Sequence, residues 1–257
     1  MFIDTHFHLG NIRSFYSPDI SVKSCMNILD KLDISYCINS HHIALMCYDI
    51  EMGMKESVRA YNDSDGRILS YYIYDPNIGK QSIEIMEKYS DRKIFKGIKI
   101  HPSFHGIAAD DERYDAIWRY AGDKNIPIMS HTWGLSKTNP VQKLSYPPLF
   151  EGYIKKYPQV KFIFAHCGGL YDGINECVKL LKKYRNTYMD TAGDIYYNGL
   201  IEFIVNEVGS ERILFGTDCI WMDPRTQLGM ILGADISLRD KENILFRNAQ
   251  EVFCIVP

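Results

Sequence analysis

The amino-terminal stretch Phe2-Ile3-Asp4-Thr5-His6-Phe7-His8 shows the pattern on which the fold prediction for this chain rests. It is a short run rich in β-branched and aromatic residues, as expected of a buried strand, and it ends in side chains that can bind metals or move protons. Runs of this kind alternate with longer amphipathic segments along nearly the whole sequence. Such alternation is typical of βα units repeated around a parallel sheet.

Eight runs qualify as strands, and most are followed by a segment with helical periodicity. Eight βα units predict a closed α/β barrel, the (β/α)8 or TIM barrel, formed as a single domain by residues 1–257. A doubly wound open sheet is the alternative, but the chain has neither G-x-G-x-x-G nor G-x-x-x-x-G-K. The predicted strands are 2–7, 35–39, 68–74, 95–100, 126–129, 161–165, 187–190 and 212–215; the predicted helices are 22–32, 51–62, 81–89, 112–121, 149–157, 174–184 and 200–208.

Composition limits the classes of partner and compartment. A chain of 257 residues with 46% hydrophobic residues and a net charge of -3 can bury a core and offers no basic surface for nucleic acid or an anionic membrane. We therefore expect a small-molecule substrate. The sequence is compatible with a homo-oligomer but does not specify one. The seven cysteines include no C-x-x-C pair, which predicts a reducing compartment. The sequence shows no basic leader and no long apolar run, so we expect a cytoplasmic location.

All eight histidines fall at or just after the predicted strand ends, which meet at one mouth of a barrel. His6 and His8 are two residues apart on one strand, so they point to the same face and can hold one ion together. His131, His166 and Asp218 follow three other strands, and imidazole and carboxylate are the usual ligands of catalytic zinc. Each residue alone could be a packed histidine or a helix cap, but together they predict a metal site.

Lys99 and His101 share a face of the fourth predicted strand, and both are expected to point into the barrel. A buried lysine needs a substrate anion, a partner carboxylate, or carboxylation that makes it a metal-bridging ligand. We therefore expect both residues to bind substrate. Cys167 and Cys219 point away by strand alternation and are expected to pack in the core. The aperiodic segment 131–148 is expected to form a long loop over the mouth.

Five motifs, in order along the chain, resemble the amidohydrolase superfamily. The similarity is greatest to the amidohydrolase-related branch, which includes aminocarboxymuconate-semialdehyde decarboxylase and aromatic-acid decarboxylases. The motifs are Ile3-Asp4-Thr5-His6-Phe7-His8, Gly97-Ile98-Lys99-Ile100-His101-Pro102, Ile128-Met129-Ser130-His131, Phe164-Ala165-His166-Cys167-Gly168-Gly169 and Ile213-Leu214-Phe215-Gly216-Thr217-Asp218.

This resemblance implies a divalent metal, usually zinc, held by His6, His8, His131 and Asp218, with manganese or another transition metal as an alternative. Asp218 and His166 are the implied catalytic residues, and His166 either binds a second ion or helps to deprotonate metal-bound water. The expected activity is hydrolysis of a small carboxylated amide, lactone or cyclic ester. The alternatives are a non-oxidative decarboxylase or hydratase at the same site, or a barrel that binds metal or ligand without turnover.

Overall fold

The computed structural model of the chain describes residues 1–11, 15–46, 48–170 and 172–256. Within these ranges eight parallel strands pair in sequence order, each with the next. This is the order of a barrel made from consecutive βα units. The strands are β1 (Phe2–Phe7), β2 (Ile34–Asn39), β3 (Ile68–Ile73), β4 (Phe95–Ile100), β5 (Ile128–Ser130), β6 (Phe162–Phe164), β7 (Thr187–Asp190) and β8 (Ile213–Leu214).

Backbone hydrogen bonds join the segment after β8 to β1 and close the barrel. Thr5 N donates to Phe215 O at 2.9 Å, and Asp218 N donates to His6 O at 2.8 Å. A parallel bridge between Phe7 and Cys219 continues this pairing toward the carboxyl ends of the strands. The predicted single-domain (β/α)8 barrel is therefore confirmed, and its closure brings Asp218 beside the histidines of β1.

Helices surround the barrel, and some of them begin at a side chain that caps free backbone N–H groups. Ser21 caps α1 by accepting from Ser24 N, and Asp49 caps α3 by accepting from Met52 N. A π-helical turn, Asn243–Arg247, separates the last two helices. The helices are α1 (Val22–Lys31), α2 (His42–Met46), α3 (Ile50–Asp63), α4 (Gly79–Lys88), α5 (Pro102–His105), α6 (Asp115–Lys124), α7 (Glu151–Lys156), α8 (Gly173–Lys183), α9 (Leu200–Val208), α10 (Arg225–Gly233), α11 (Leu238–Glu242) and α12 (Asn248–Phe253).

The core lies between the barrel and this layer of helices. Ile201 and Ile204 of α9 are buried, as its helical periodicity predicts. Trp118 of α6 is fully buried and stacks on Phe162 of β6, with ring centroids 4.9 Å apart. In the described part of the chain, no helix is long and apolar enough to cross a membrane.

The ends of two short strands differ from the prediction for local reasons. Proline has no N–H to give to a ladder, and the strand expected at 126–129 begins only after Pro127. β8 ends at Leu214 because the next amide, Phe215 N, donates to Ile244 O at 2.9 Å instead of to a strand. The bounds of β1, β4 and β7 agree with the prediction.

Candidate metal-dependent active site

A cavity of about 480 Å³ opens at the carboxyl ends of the strands. This is the face on which barrel enzymes place their active sites, and the volume is within the range of small-molecule sites. The structure brings together all of the site residues predicted from the sequence. The residues His6, His8, Lys99, His101, His131, His166 and Asp218 all line this cavity.

Two imidazoles and one carboxylate form the centre of the site. The Oδ1 atom of Asp218 lies 2.9 Å from His8 Nε2 and 3.5 Å from His6 Nε2. The ligand atoms of these three buried residues all lie within 4.8 Å of one another, a spacing that can hold one metal ion. Burial would raise the pKa of Asp218, but His8 and His6 outweigh it and hold this pKa well below its usual range. Asp218 is therefore ionised, as a metal ligand must be.

The hydrogen-bond acceptors beside His6 and His8 determine which ring nitrogen of each histidine carries the hydrogen and which is unprotonated. His8 Nδ1 lies 2.8 Å from the carbonyl oxygen of Ser40, which can only accept, so Nδ1 carries the hydrogen. His6 Nδ1 lies 2.9 Å from Asp190 Oδ2 and donates to it in the same way. Burial lowers the pKa of both histidines, so they are neutral. Each therefore presents an unprotonated Nε2 to Asp218, which is the tautomer that binds a metal.

Asp190, at the end of β7, fixes the tautomer and the orientation of the His6 ring. Its Oδ1 accepts from His166 N at 2.8 Å and from Ala192 N at 3.0 Å, while Oδ2 accepts from His6. Burial would raise the pKa of Asp190, but the hydrogen bond from His6 and the nearby Lys99 lower it to about 2. Sequence reasoning placed this aspartate at a strand end but gave it no role. A carboxylate behind a metal-binding histidine holds the ring in orientation and raises its basicity.

His166 adopts an uncommon backbone conformation next to this centre. It lies in the left-handed region at φ 60°, which non-glycine residues occupy only when surrounding contacts impose it. Its Nδ1 donates to Ala192 O at 3.1 Å, and a Cβ on Gly193 would lie only 2.7 Å from that nitrogen. Burial lowers the pKa of His166 to about 4. His166 is thus neutral, with Nε2 as a fixed acceptor.

Lys99 is fully buried at the base of the cavity. Its Nζ lies 2.9 Å from His6 Nε2. Burial lowers the pKa of Lys99 to about 8, although Asp190 and Asp218 act against that change. The amine therefore keeps its proton at neutral pH and provides a cation inside the site.

His131 and His101 lie in a stack of parallel rings on the other wall. The His101 and His131 ring centroids are 4.0 Å apart, and Phe104 stacks on the far side of His101 at 3.8 Å. His131 Nε2 lies 2.9 Å from Gln142 Oε1. His131 is not one of the three residues whose ligand atoms lie within 4.8 Å of one another at the centre of the site. His101 Nδ1 accepts from Phe104 N at 3.3 Å and caps α5. Metal ligation by His131 and substrate binding by His101 stay predictions.

Asp4 is a second residue that the sequence reasoning missed. Its carboxylate accepts from His6 N at 3.0 Å and from both the backbone and the hydroxyl of Thr217. It thereby ties β1 to the turn that carries Asp218. Burial raises the pKa of Asp4 to about 7. The signal was its place in the Asp-x-His-x-His run, but its partner lies more than two hundred residues away along the chain.

Three of the eight histidines that fall at or after strand ends do not line this cavity. His41 and His42 line a separate cavity, and the His42 ring contacts Leu9 O at 3.0 Å. His105 Nδ1 lies 2.9 Å from the Tyr114 hydroxyl. His42 and His105 belong to the short helices α2 and α5, so helical rotation, not strand alternation, sets their directions.

Cys167 and Cys219 are buried, as expected, and neither lines the site cavity. The loop 131–148 supplies much of the upper wall, including Trp133 and Gln142, which confirms its predicted place over the mouth. It contains the short 3-10 segment Pro140–Ser145, and a second one, Pro147–Phe150, begins at its end.

Comparison with known sequences establishes the family. The sequence model of the amidohydrolase family matches residues 42–255, so this chain belongs to the amidohydrolase family and is an enzyme of the amidohydrolase superfamily. A gamma-resorcylate decarboxylase from Polaromonas sp. (strain JS666 / ATCC BAA-500) is 29% identical over 149 residues, which cover 51% of this chain and 45% of that enzyme. The match thus spans less than half the length of this curated relative.

Solved structures share the whole fold at low sequence identity. A TIM-barrel protein from Bordetella bronchiseptica has a TM-score of 0.79 at 15% identity and covers 98% of both chains. A dihydroxybenzoic acid decarboxylase from Polaromonas sp. JS666, with bound manganese and the inhibitor 2-nitroresorcinol, has a TM-score of 0.75 at 16% identity. It covers 98% of this chain and 96% of its own. These two structures support the barrel fold from one end of the chain to the other.

Proposed function

We propose that this enzyme is a metal-dependent, non-oxidative decarboxylase of a small hydroxylated aromatic acid. The proposal rests on one observation. Two unprotonated imidazole Nε2 atoms, an ionised carboxylate and a buried lysine lie together in one cavity that aromatic side chains line. The relatives whose names specify decarboxylation of resorcylate and dihydroxybenzoate support a lyase over the hydrolase expected from the sequence.

The donor set suits a divalent ion. His6, His8 and Asp218 would hold it, and His131, on the adjacent wall, is the proposed further ligand. Imidazole and carboxylate ligands suit zinc and manganese alike, and the manganese in the Polaromonas structure supports testing both. When bound, the ion supplies Lewis acidity, which draws electron density from an oxygen of the substrate.

Lys99 and His101 are the groups proposed to bind the substrate carboxylate. Lys99 provides the positive charge, and its burial strengthens pairing with an anion because little water competes. Trp133, Trp221 and Phe104 line the same cavity and offer faces on which an aromatic ring can pack.

Decarboxylation breaks the bond between the ring carbon and the carboxylate, releases carbon dioxide and leaves an electron pair that must take a proton. Asp218 is ionised, so it can accept the proton of a substrate hydroxyl and return it to the ring carbon. His166 presents Nε2 as an acceptor for another hydrogen-bond donor of the substrate. Asp218 and His166 are therefore the proposed catalytic residues.

The test is product analysis with protein loaded with manganese or zinc. We expect carbon dioxide and the matching phenol from 2,6- or 2,3-dihydroxybenzoate, and no turnover of lactones or amides. His6→Ala should lose bound metal, and Asp218→Asn should lower the rate by about 10²–10⁴-fold. His42→Gln is the matched control, because His42 also follows a strand but lies outside the cavity. Hydrolysis of a lactone or amide without gas release would contradict the proposal.

A further inference from the structure

Asp194 is a charged residue of the cavity that the mechanism above does not use. It follows β7, and its side chain is half-buried and lines the same cavity as His6 and Lys99. Across the described residues, no hydrogen bond or ion pair reaches its carboxylate. A carboxylate facing a binding cavity without a protein partner is available to a group on the ligand.

The backbone that carries Asp194 is firmly placed. Ala192 N donates to Asp190 at 3.0 Å, and Ala192 O accepts from His166 at 3.1 Å. Gly193 packs so closely on the His166 ring that a Cβ there would collide with it. Asp194 therefore starts from a fixed position beside the proposed catalytic histidine.

Charge is divided between two sides of the mouth. Lys99 belongs to β4 and Asp194 follows β7, three strands further around the ring of eight. A ring whose carboxylate is held near Lys99 can present its other substituents toward Asp194. A hydroxyl or amino group there would donate a hydrogen bond, whereas a second carboxylate would meet a like charge in a partly buried site.

We propose that Asp194 determines specificity: it accepts a hydrogen bond from a ring hydroxyl or amino group of an aromatic monocarboxylate, and it excludes aromatic dicarboxylates. This inference rests on the proposed function, since it assumes that an aromatic acid occupies the cavity. It narrows that function to substrates with one carboxylate and at least one donor group elsewhere on the ring.

The test compares binding of inert probes to manganese-loaded protein by isothermal titration calorimetry. The donor probes are 3- and 4-hydroxybenzoate and 3-aminobenzoate, and the dicarboxylates are isophthalate and terephthalate. In the wild type, we expect the best donor probe to bind at least tenfold more tightly than either dicarboxylate. Asp194→Asn keeps the shape and removes the charge, so this ratio should fall at least fivefold. Asp194→Ser provides a second variant, and Asp235→Asn, at an exposed site, is the control.

Binding and chemistry then separate the two proposals. Equal affinity for isophthalate and the donor probes in the wild type, an unchanged ratio in both Asp194 variants, or no binding of any probe would overturn the role of Asp194. The expected affinities without carbon dioxide release from any hydroxylated benzoate would leave the role of Asp194 standing and refute decarboxylation.

Discussion

Replacement of Asp190 by asparagine should weaken metal binding without removing any metal ligand. The amide has the size of the carboxylate but one oxygen only. If that oxygen keeps the hydrogen bonds from His166 N and Ala192 N, the NH2 group faces His6 Nδ1. The opposite orientation turns the NH2 toward two backbone donors and loses two bonds to keep one, so we expect the first.

The consequence for His6 follows from its two nitrogens. Facing an NH2 group, Nδ1 must accept, so the ring hydrogen moves to Nε2, the atom that would bind the ion. That hydrogen would also face Lys99 Nζ, which lies 2.9 Å from Nε2, so two donors would meet. Loss of such a supporting carboxylate typically costs about 10–100-fold in metal affinity, or roughly 1.4–2.8 kcal/mol.

The assay is the dissociation constant for manganese or zinc, measured by competition with a chromogenic chelator. Circular dichroism checks that the variant is folded, and 15N chemical shifts of the imidazoles report the His6 tautomer. Asp172→Asn is the matched control, because Asp172 accepts from Leu135 N and the Tyr146 hydroxyl and holds no histidine. Metal affinity of Asp190→Asn within twofold of the wild type would refute the assigned role.

Three other predictions concern stability and catalysis. Gly193→Ala places a Cβ 2.7 Å from His166 Nδ1 on a backbone at φ +88°. We expect the free energy of unfolding, measured in urea, to fall by about 1–2 kcal/mol and kcat to decrease. Unchanged kcat would argue against the placement of His166. Chelation should lower the thermal midpoint, since an ion at one hundred times its dissociation constant adds about 2.7 kcal/mol; an unchanged midpoint would argue against a tightly held ion. Trp118→Ala leaves a cavity at a fully buried site and should lower the free energy of unfolding by about 3–5 kcal/mol, measured by urea unfolding. A decrease below about 1 kcal/mol would contradict the place of Trp118 in the core.

The fold was predictable because its signals are local. Each strand is a short apolar run, and each amphipathic helix shows one apolar stripe, so pattern and order alone specify a barrel. Errors occurred where a single residue changed the pairing, as at Pro127 and Phe215. These local contacts shift a strand end by one or two residues but do not change the number of strands.

The candidate site was predictable to the extent that strand alternation controls side-chain direction. His6, His8 and Lys99 lie on strands or directly after one, and all three line the cavity as expected. His42 and His105 lie in short helices, where one residue turns the side chain by about 100°. In these two short helices, position after a strand was therefore a poor guide to side-chain direction.

Periodicity and chain order are sufficient to predict the barrel, the mouth at which the chemistry is placed and the residues able to bind a metal. How those residues work together depends on contacts that exist only in the folded barrel. Asp190 sets the tautomer of His6 across 184 residues of chain, and Asp4 ties β1 to the Asp218 turn across 213. Such hydrogen bonds form only when the barrel closes, because closure brings the first strand close to the ends of the last two.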